Sequence, residues 1–364
     1  MSYLRNINVR WGCFDLTDVL KMRFKDDEVE RYMIEKGDLV LCEGGEPGRC
    51  AIWDKANPIM FQKALHRIRC HGGVLNEYLK YVIEDYAKAN KLEEYYTGST
   101  IKHLTGESLV SILFPLPPIK EQERIVQEIQ RYLSLVAIIE NNKENLLAAI
   151  KQAKSKVLDL AIHGKLVLQD PNDEPASELL KRINPKAEIT CDNPQYGKLP
   201  KGWCETHIGD AFKVTMGQSP DGSSLNPIDG MEFHQGKILF GNKYLRKSSV
   251  LTNSPTKIAD ADTLLLCVRA PVGVVNITKQ RICIGRGLCC LTPTKAINLD
   301  YAFYMLTTFQ EKFESQSTGS TFKAISGSII KNEQLWLPPL SEQHRIVAKI
   351  EELFAQLDKI EASL

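Results

Sequence analysis

The chain has 364 residues, a quarter of them charged, a formal net charge of +1 and 43% hydrophobic residues. That is enough for two domains with real cores; no run is long and apolar enough to span a bilayer, and the opening MSYLRNINVRWG has no signal-peptide pattern. Neutrality overall excludes a uniformly basic surface but not a local one, because Lys and Arg exceed Asp and Glu by about four between Pro200 and Leu337.

Residues 1–116 read as mixed and β-rich. Leu39-Val40-Leu41-Cys42 predicts a buried strand closed by the turn Glu43 to Gly48, and Ala51-Ile52-Trp53 leads into a second. Leu65 to Cys70 alternates as a strand does. Asn76 opens a helix reaching about Ala89, Thr97-Gly98-Ser99-Thr100 forms a loop, and a short strand is expected to run into Phe114-Pro115-Leu116. Pro117-Pro118 then set the entry to a long helix. From Ile119 to His163 there is no Gly or Pro, and apolar residues recur at three- and four-residue steps over about six heptads. At about 1.5 Å per residue such a helix is on the order of 65 Å long. A turn and a short helix from Pro175 follow it, then a polar linker, Asn184 to Lys201.

Residues 202–337 repeat the first domain. Cys204 to Met216 and Ile238 to Val250 read as strands, Leu264-Leu265-Leu266-Cys267 matches Leu39 to Cys42, and Tyr301 and Tyr304 stand for Tyr78 and Tyr81. Thereafter the repeat is gapless at a spacing of 221 residues, from Thr97 and Thr318 through Lys102 and Lys323 to Arg124 and Arg345. The second helix keeps the apolar period and ends at Leu364. The predicted domains are thus 1–116, 117–168 (long helix), 169–201 (short helix and linker), 202–337 and 338–364 (shorter helix). The expected class is α+β, two similar mixed domains separated by long helices that pair as an antiparallel coiled coil. Its seam is expected at Ile129, Val136, Ile150, Val157, Ile350, Leu353, Leu357 and Ile360. Similar modules at fixed spacing suit a periodic ligand, and modules about 34 Å apart would each meet a major-groove segment of DNA.

These residues resemble the specificity subunit of type I restriction–modification systems. The resemblance rests on Leu116-Pro-Pro-Ile-Lys-Glu-Gln-Glu-Arg-Ile-Val, its repeat Leu337-Pro-Pro-Leu-Ser-Glu-Gln-His-Arg-Ile-Val, both Thr-Gly-Ser-Thr segments and the AIHGKLVLQDPNDEPASELLKRI stretch, and it covers essentially the whole chain. It implies two target recognition domains that read the halves of a split site on double-stranded DNA. It also implies helices that dock methyltransferase (modification) subunits and, through them, a restriction/translocase subunit in the cytoplasm. S-adenosylmethionine is then expected on the methyltransferase, with no cofactor on this chain. In one respect the first domain departs from the second. It reaches Tyr3-Leu4-Arg5 almost at once, whereas about 40 residues, Gly202 to Lys243, precede Tyr244-Leu245-Arg246. Opening strands are therefore expected to be missing from the first domain. The alternative reading is a truncated scaffold with one working recognition domain that self-associates on a symmetric site.

Candidate DNA contacts in the second domain are Gln218, Ser219, Lys243, Tyr244, Arg246, Lys247, Arg269 and Arg286, since Gln and Arg suit bidentate base contacts and Lys neutralises phosphate. Arg5, Arg10, Lys63, Arg67 and Arg69 are weaker candidates in the first. Ser99, Thr100 and Lys102, with Ser320, Thr321 and Lys323, offer hydroxyls and a lysine to a phosphate or groove edge, or form a structural turn. Glu121, Gln122 and Arg124, with Glu342, Gln343 and Arg345, are expected to cap their helices and to contact the methyltransferase. No phosphate-binding loop, nucleophile elbow or zinc-binding helix motif occurs, and Leu-Pro-Pro cannot replace the Asn-Pro-Pro of an amino-methyltransferase. The ten cysteines include no C-x-x-C pair and read as reduced, mostly buried thiols; the seven histidines have no metal spacing.

Overall fold

The computed structural model describes residues 1–98, 100–191, 199–319 and 323–364. The chain forms two units, Met1–Asn142 and Lys143–Leu364.

In unit 1 the strands are β1 (Ser2–Leu4), β2 (Leu20–Lys21), β3 (Met33–Ile34), β4 (Leu39–Cys42), β5 (Cys50–Ile52), β6 (Ile59–Phe61) and β7 (Leu65–Ile68). The helices are α1 (Asp26–Tyr32), α2 (Asn76–Lys88), α3 (Gly106–Val110) and the first part of α4 (Ile119–Ile162). One sheet runs β2-β1-β6-β3 and a second β5-β4-β7. The uninterrupted apolar run of β4 follows from burial on both faces: Val40 and Cys42 point into one core cluster, Leu39 and Leu41 into another beneath α2.

Unit 2 holds the end of α4, then α5 (Ala176–Ile183), β8 (Cys204–His207), α6 (Ile208–Ala211), β9 (Phe212–Met216), β10 (Leu225–Asn226), β11 (Met231–His234), β12 (Leu251–Thr252) and β13 (Ile258–Ala259). There follow β14 (Thr263–Cys267), β15 (Val275–Thr278), β16 (Ile282–Ile284), β17 (Leu288–Pro293), α7 (Leu299–Thr308), α8 (Gln310–Ser315), α9 (Gly327–Lys331), β18 (Gln334–Leu337) and α10 (Leu340–Ala362). Its sheets run β10-β12-β11-β16-β13, β15-β14-β17-β9 and β18-β8. Here too the central strand splits its residues, Leu264 and Leu266 to one cluster, Leu265 and Cys267 to another.

The two topologies correspond strand for strand, except that unit 1 has no counterpart of β8, α6, β9, β10 or β18 among the described residues. Strand register corrects the sequence alignment at this point. Tyr3 faces Met60 in the parallel pair β1–β6 as Phe233 faces Cys283 in β11–β16, so Tyr3-Leu4 stands for Phe233-His234 and not for Tyr244-Leu245. The segment lacking a counterpart is therefore 202–230. This also explains why the strand expected before Pro115 does not form. Residues 112–118 carry no strand, whereas the equivalent β18 pairs with β8. Nor is Ile238 to Val250 a strand; it is a tight turn at Lys237–Leu239 followed by isolated bridges at Phe240–Leu245 and Tyr244–Ile277.

α4 is one continuous helix of 44 residues. Within unit 2 its end runs antiparallel to α10. Lys143 Nζ reaches the Leu364 carbonyl at 2.6 Å, Lys154 pairs with Asp358 (2.6 Å) and Glu361 (2.9 Å), and Gln169 beyond the helix meets Glu342. Ile150 and Ile350 are buried in this seam, and Val157, Leu353 and Leu357 are half-buried. Two expected seam positions are exposed, Ile360 (44%) and, in unit 1, Val136 (50%); Ile129, also in unit 1, is half-buried.

Candidate nucleic-acid interface and helix clamps

In unit 2 four loops, from the strands of two sheets, meet. β9 ends in Gly217-Gln218-Ser219, β11 in Gln235-Gly236-Lys237 and β14 in Val268-Arg269-Ala270, while Gly285-Arg286-Gly287 joins β16 to β17. Backbone bonds lace them together. Gln218 N–H donates to the Ile284 carbonyl (2.9 Å), Val268 N–H to Gly287 (3.0 Å) and Ala270 N–H to Lys323 (3.2 Å), and Arg286 N–H donates to the Ser219 hydroxyl (3.4 Å). The approach is too close for side chains: a Cβ on Gly217 would lie 2.1 Å from the Gly285 carbonyl oxygen, and one on Gly287 2.2 Å from that of Gln235.

Glycine at these corners leaves Gln218, Lys237, Arg269, Arg286 and Lys323 exposed around a common edge. Among the described residues none of these four cations has an acidic partner within ion-pair distance. The edge therefore offers uncompensated positive charge beside an amide and hydroxyls, a chemistry that suits phosphates and base edges. Lys237 belongs to this group and was missed in the sequence, where nothing but its charge marked it.

Lys243 does not belong. Its ammonium lies between Asp300 (2.9 Å) and Glu351 (3.0 Å) and over the Tyr304 ring. Burial works against its charge, but the two carboxylates outweigh burial and hold its pKa above the ordinary lysine value. It ties α7 to α10 and has no charge left for DNA. Nearby, Arg246 donates to the Ile238 carbonyl (2.8 Å), Lys247 is exposed, and the half-open Tyr244 ring lies under Lys279.

The first residue of each Thr-Gly-Ser-Thr segment sits in an isolated antiparallel bridge. Thr97 and His103 exchange backbone bonds of 2.8 and 2.9 Å, and Thr318 and Ala324 do the same at 3.0 Å. Gly98 and Gly319 sit at φ of 90° and 111°, a region that side chains avoid. Ser99, Ser320 and Thr321 lie outside the described residues; Thr100 is exposed.

The corresponding edge of unit 1 is electrostatically different. Lys102 pairs with Glu93 (2.8 Å), whose carboxylate raises the lysine's pKa, and Arg49 and Trp11 both reach Glu46. Arg5 is paired with Asp18, Arg10 with Asp15, and Arg69 with Asp38 and Glu35. Arg67 donates to the carbonyls of Glu30 and Met33. Of the weaker candidates only Lys63 has no partner among the described residues.

The Glu-Gln pairs at the helix starts behave differently from the expectation of capping and partner contact. Gln343 is fully buried. Its Oε1 accepts from Asn298 N–H (2.7 Å), and its Nε2 donates to the carbonyls of Ala296 (2.9 Å) and Pro338 (3.0 Å). Gln122 makes the same three bonds, accepting from Leu75 N–H (2.9 Å) and donating to Gly73 (2.8 Å) and Pro117 (2.9 Å). Neither caps a first-turn N–H. Each clamps a helix to the loop entering α2 or α7, and burial withdraws it from any partner. Glu342 is buried against Trp203 Nε1 (3.0 Å) and Gln169, and burial pushes its pKa up. Arg345 forms a two-pronged pair with Asp173. In unit 1 the same positions, Glu121 and Arg124, pair with each other at the surface.

All ten cysteines are free thiols, and burial pushes those of Cys204, Cys267 and Cys289 up to about 12, which keeps them protonated and unreactive. Among the described residues no His, Cys, Asp and Glu group is placed to hold a metal, and no helix is long and apolar enough to cross a membrane.

Comparison with known proteins now adds to this geometry. A family model, "Type I restriction modification DNA specificity domain", matches residues 23–148 and 200–364. The putative MjaX specificity subunit of Methanocaldococcus jannaschii is 27% identical over 347 residues, covering 92% of this chain and 76% of that one. A solved structure from work on complex assembly and conformational transition of the type I R-M system matches with TM-score 0.65 and 24% identity, covering 91% of this chain and 77% of the other. The HsdS subunit of Thermoanaerobacter tengcongensis matches with TM-score 0.64 and 22% identity, covering 100% and 84%.

Proposed function

Because the chain belongs to the type I restriction modification DNA specificity family, we propose that it reads a bipartite DNA site and directs methylation and cleavage by partner subunits. The observation that carries this is the repeated unit whose second copy gathers Lys237, Arg269, Arg286 and Lys323 without acidic partners on one loop edge. In this reading Gln218 and the two arginines meet base edges or phosphates, while Ser219 and Lys323 position the backbone. Tyr244, Arg246 and Lys247 form a flanking contact. Lys102 and Thr100 contribute less, because Glu93 already neutralises the lysine. Ser99, Ser320 and Thr321 are retained as backbone contacts on the sequence argument alone.

Chemistry resides on the partners. This chain is non-catalytic and binds no cofactor, and S-adenosylmethionine belongs to the methyltransferase. The methyltransferase docks on the exposed apolar stripe of α4, which includes Tyr132, Leu133, Val136 and Ile139, and the restriction subunit joins through it. Footprinting of the chain with its methyltransferase should show two short protected elements separated by a fixed unprotected gap. A single compact footprint would count against two reading units.

A further inference from the structure

The turn that follows β11 presents one side chain that the cationic loops leave unexplained. Ile238, in the tight turn Lys237–Leu239, is 85% exposed. Two residues later Phe240 turns inward and packs, with Leu245, against the core cluster that holds Leu265, Ile282 and Ile284. An apolar core thus lies within two residues of Ile238, and the isoleucine stands outside it.

A lone exposed isoleucine needs no explanation by itself, but this one is rigidly presented. The Arg246 guanidinium donates to the Ile238 carbonyl (2.8 Å), Arg246 N–H donates to the Leu239 carbonyl (2.9 Å), and Phe240 N–H closes the turn on Lys237 (2.8 Å). Asn276 Nδ2 holds the next carbonyl loop through Gly241 (2.9 Å). A side chain on a backbone held in this way loses little further freedom when it meets a ligand.

The neighbours of Ile238 indicate what it meets. Lys237 lines a small cleft of about 100 Å3 with Cys267, Arg269 and Gly287. Lys237 and Arg246 are both exposed, and among the described residues neither has an acidic partner within ion-pair distance. Positive charge therefore adjoins the apolar tip at two places, which suits phosphates at the flanks and a base beyond them. The apolar group that a base pair offers in the major groove is the 5-methyl of thymine.

We propose that Ile238 is a specificity-determining residue of unit 2 that reads a thymine through its 5-methyl group in the major groove. This rests on the DNA-reading function proposed above and deepens it. The cations hold the backbone, and Ile238 adds a base preference that needs no hydrogen bond.

The test uses the chain assembled with its methyltransferase subunits and a randomised double-stranded DNA library. The parent is expected to enrich one motif, and Ile238→Ala to enrich the same motif with the preference lost at a single thymine. In a defined duplex, uracil in place of that thymine should weaken the parent about fourfold, the worth of one buried methyl, and leave Ile238→Ala unaffected. The dependence of log K on log salt should be the same for both, because no phosphate contact is removed. Ile228→Ala is the control: Ile228 is 86% exposed and precedes the opposite end of β11, so this variant should keep the parent's uracil penalty. Both substitutions alter exposed side chains, so both variants should fold. An unchanged motif in Ile238→Ala, or an equal uracil penalty in parent and variant, overturns the proposal and leaves the DNA-reading function standing. Uniform weakening across the motif does the same, since it marks a wedge that deforms the duplex. Failure of the parent to enrich any motif overturns both.

Discussion

Gln343 and Gln122 show how much one side chain can decide. An amide offers an acceptor and two donors at fixed geometry, and here all three are used inside the protein. Truncation leaves an N–H and two carbonyls buried without partners. Gln343→Ala should therefore cost about 2–3 kcal/mol, read as a lowered denaturation midpoint, and Gln122→Ala should do the same in unit 1. Glu342 supplies a pH signature. Its folded-state pKa lies above the ordinary glutamate value because burial penalises the charged form. Its favourable contribution is therefore complete below that ordinary value and is lost as pH rises through the raised one. Glu342→Gln removes the charge but leaves one of the two donors, Trp203 Nε1 or Gln169 Nε2, without an acceptor. The variant's stability should therefore fall less than the parent's as pH rises from acid to neutral, as thermal melts across pH would register.

Among the elements, α4 and α10 were the most legible in the sequence, because a helical apolar period free of Gly and Pro for so many residues has no other reading. What the period could not specify was which part of the stripe meets a partner within the chain. Ile150 and Ile350 are buried, whereas Val136, in the same period, is 50% exposed. Ile350→Asp should cost on the order of 4 kcal/mol, a buried methyl cluster being exchanged for an unpaired charge. Val136→Asp should change stability by less than about 0.5 kcal/mol and instead weaken assembly with the methyltransferase, measurable by mass of the complex. Short strands were less legible. The segment 113–116 reads as a strand, and its twin at 334–337 is one, yet strand character depends on a paired neighbour, which β8 supplies to 334–337 and none of the described strands supplies to 113–116.

For the whole molecule, the asymmetry of charge between the units governs DNA binding. The net charge of +1 says nothing of it. Arg269→Ala and Arg286→Ala should each weaken binding and flatten the dependence of log K on log salt by about 0.9 for every phosphate contact removed. Lys243→Ala should lower stability, since Asp300 and Glu351 lose their shared cation, and leave the salt slope unchanged. Titrations of binding at several salt concentrations separate the two behaviours.

The sequence by itself determined the duplication, the long helices and the family to which the chain belongs, because those are recorded in spacing and periodicity, which survive without coordinates. Only the tertiary structure decided which charges are free. Lys243 and Lys323 are indistinguishable as letters, yet one is held by two carboxylates distant in sequence and the other stands on an exposed loop edge. It also moved the counterpart of Tyr3 from Tyr244 to Phe233, since register is fixed by hydrogen bonding between strands and not by resemblance of side chains.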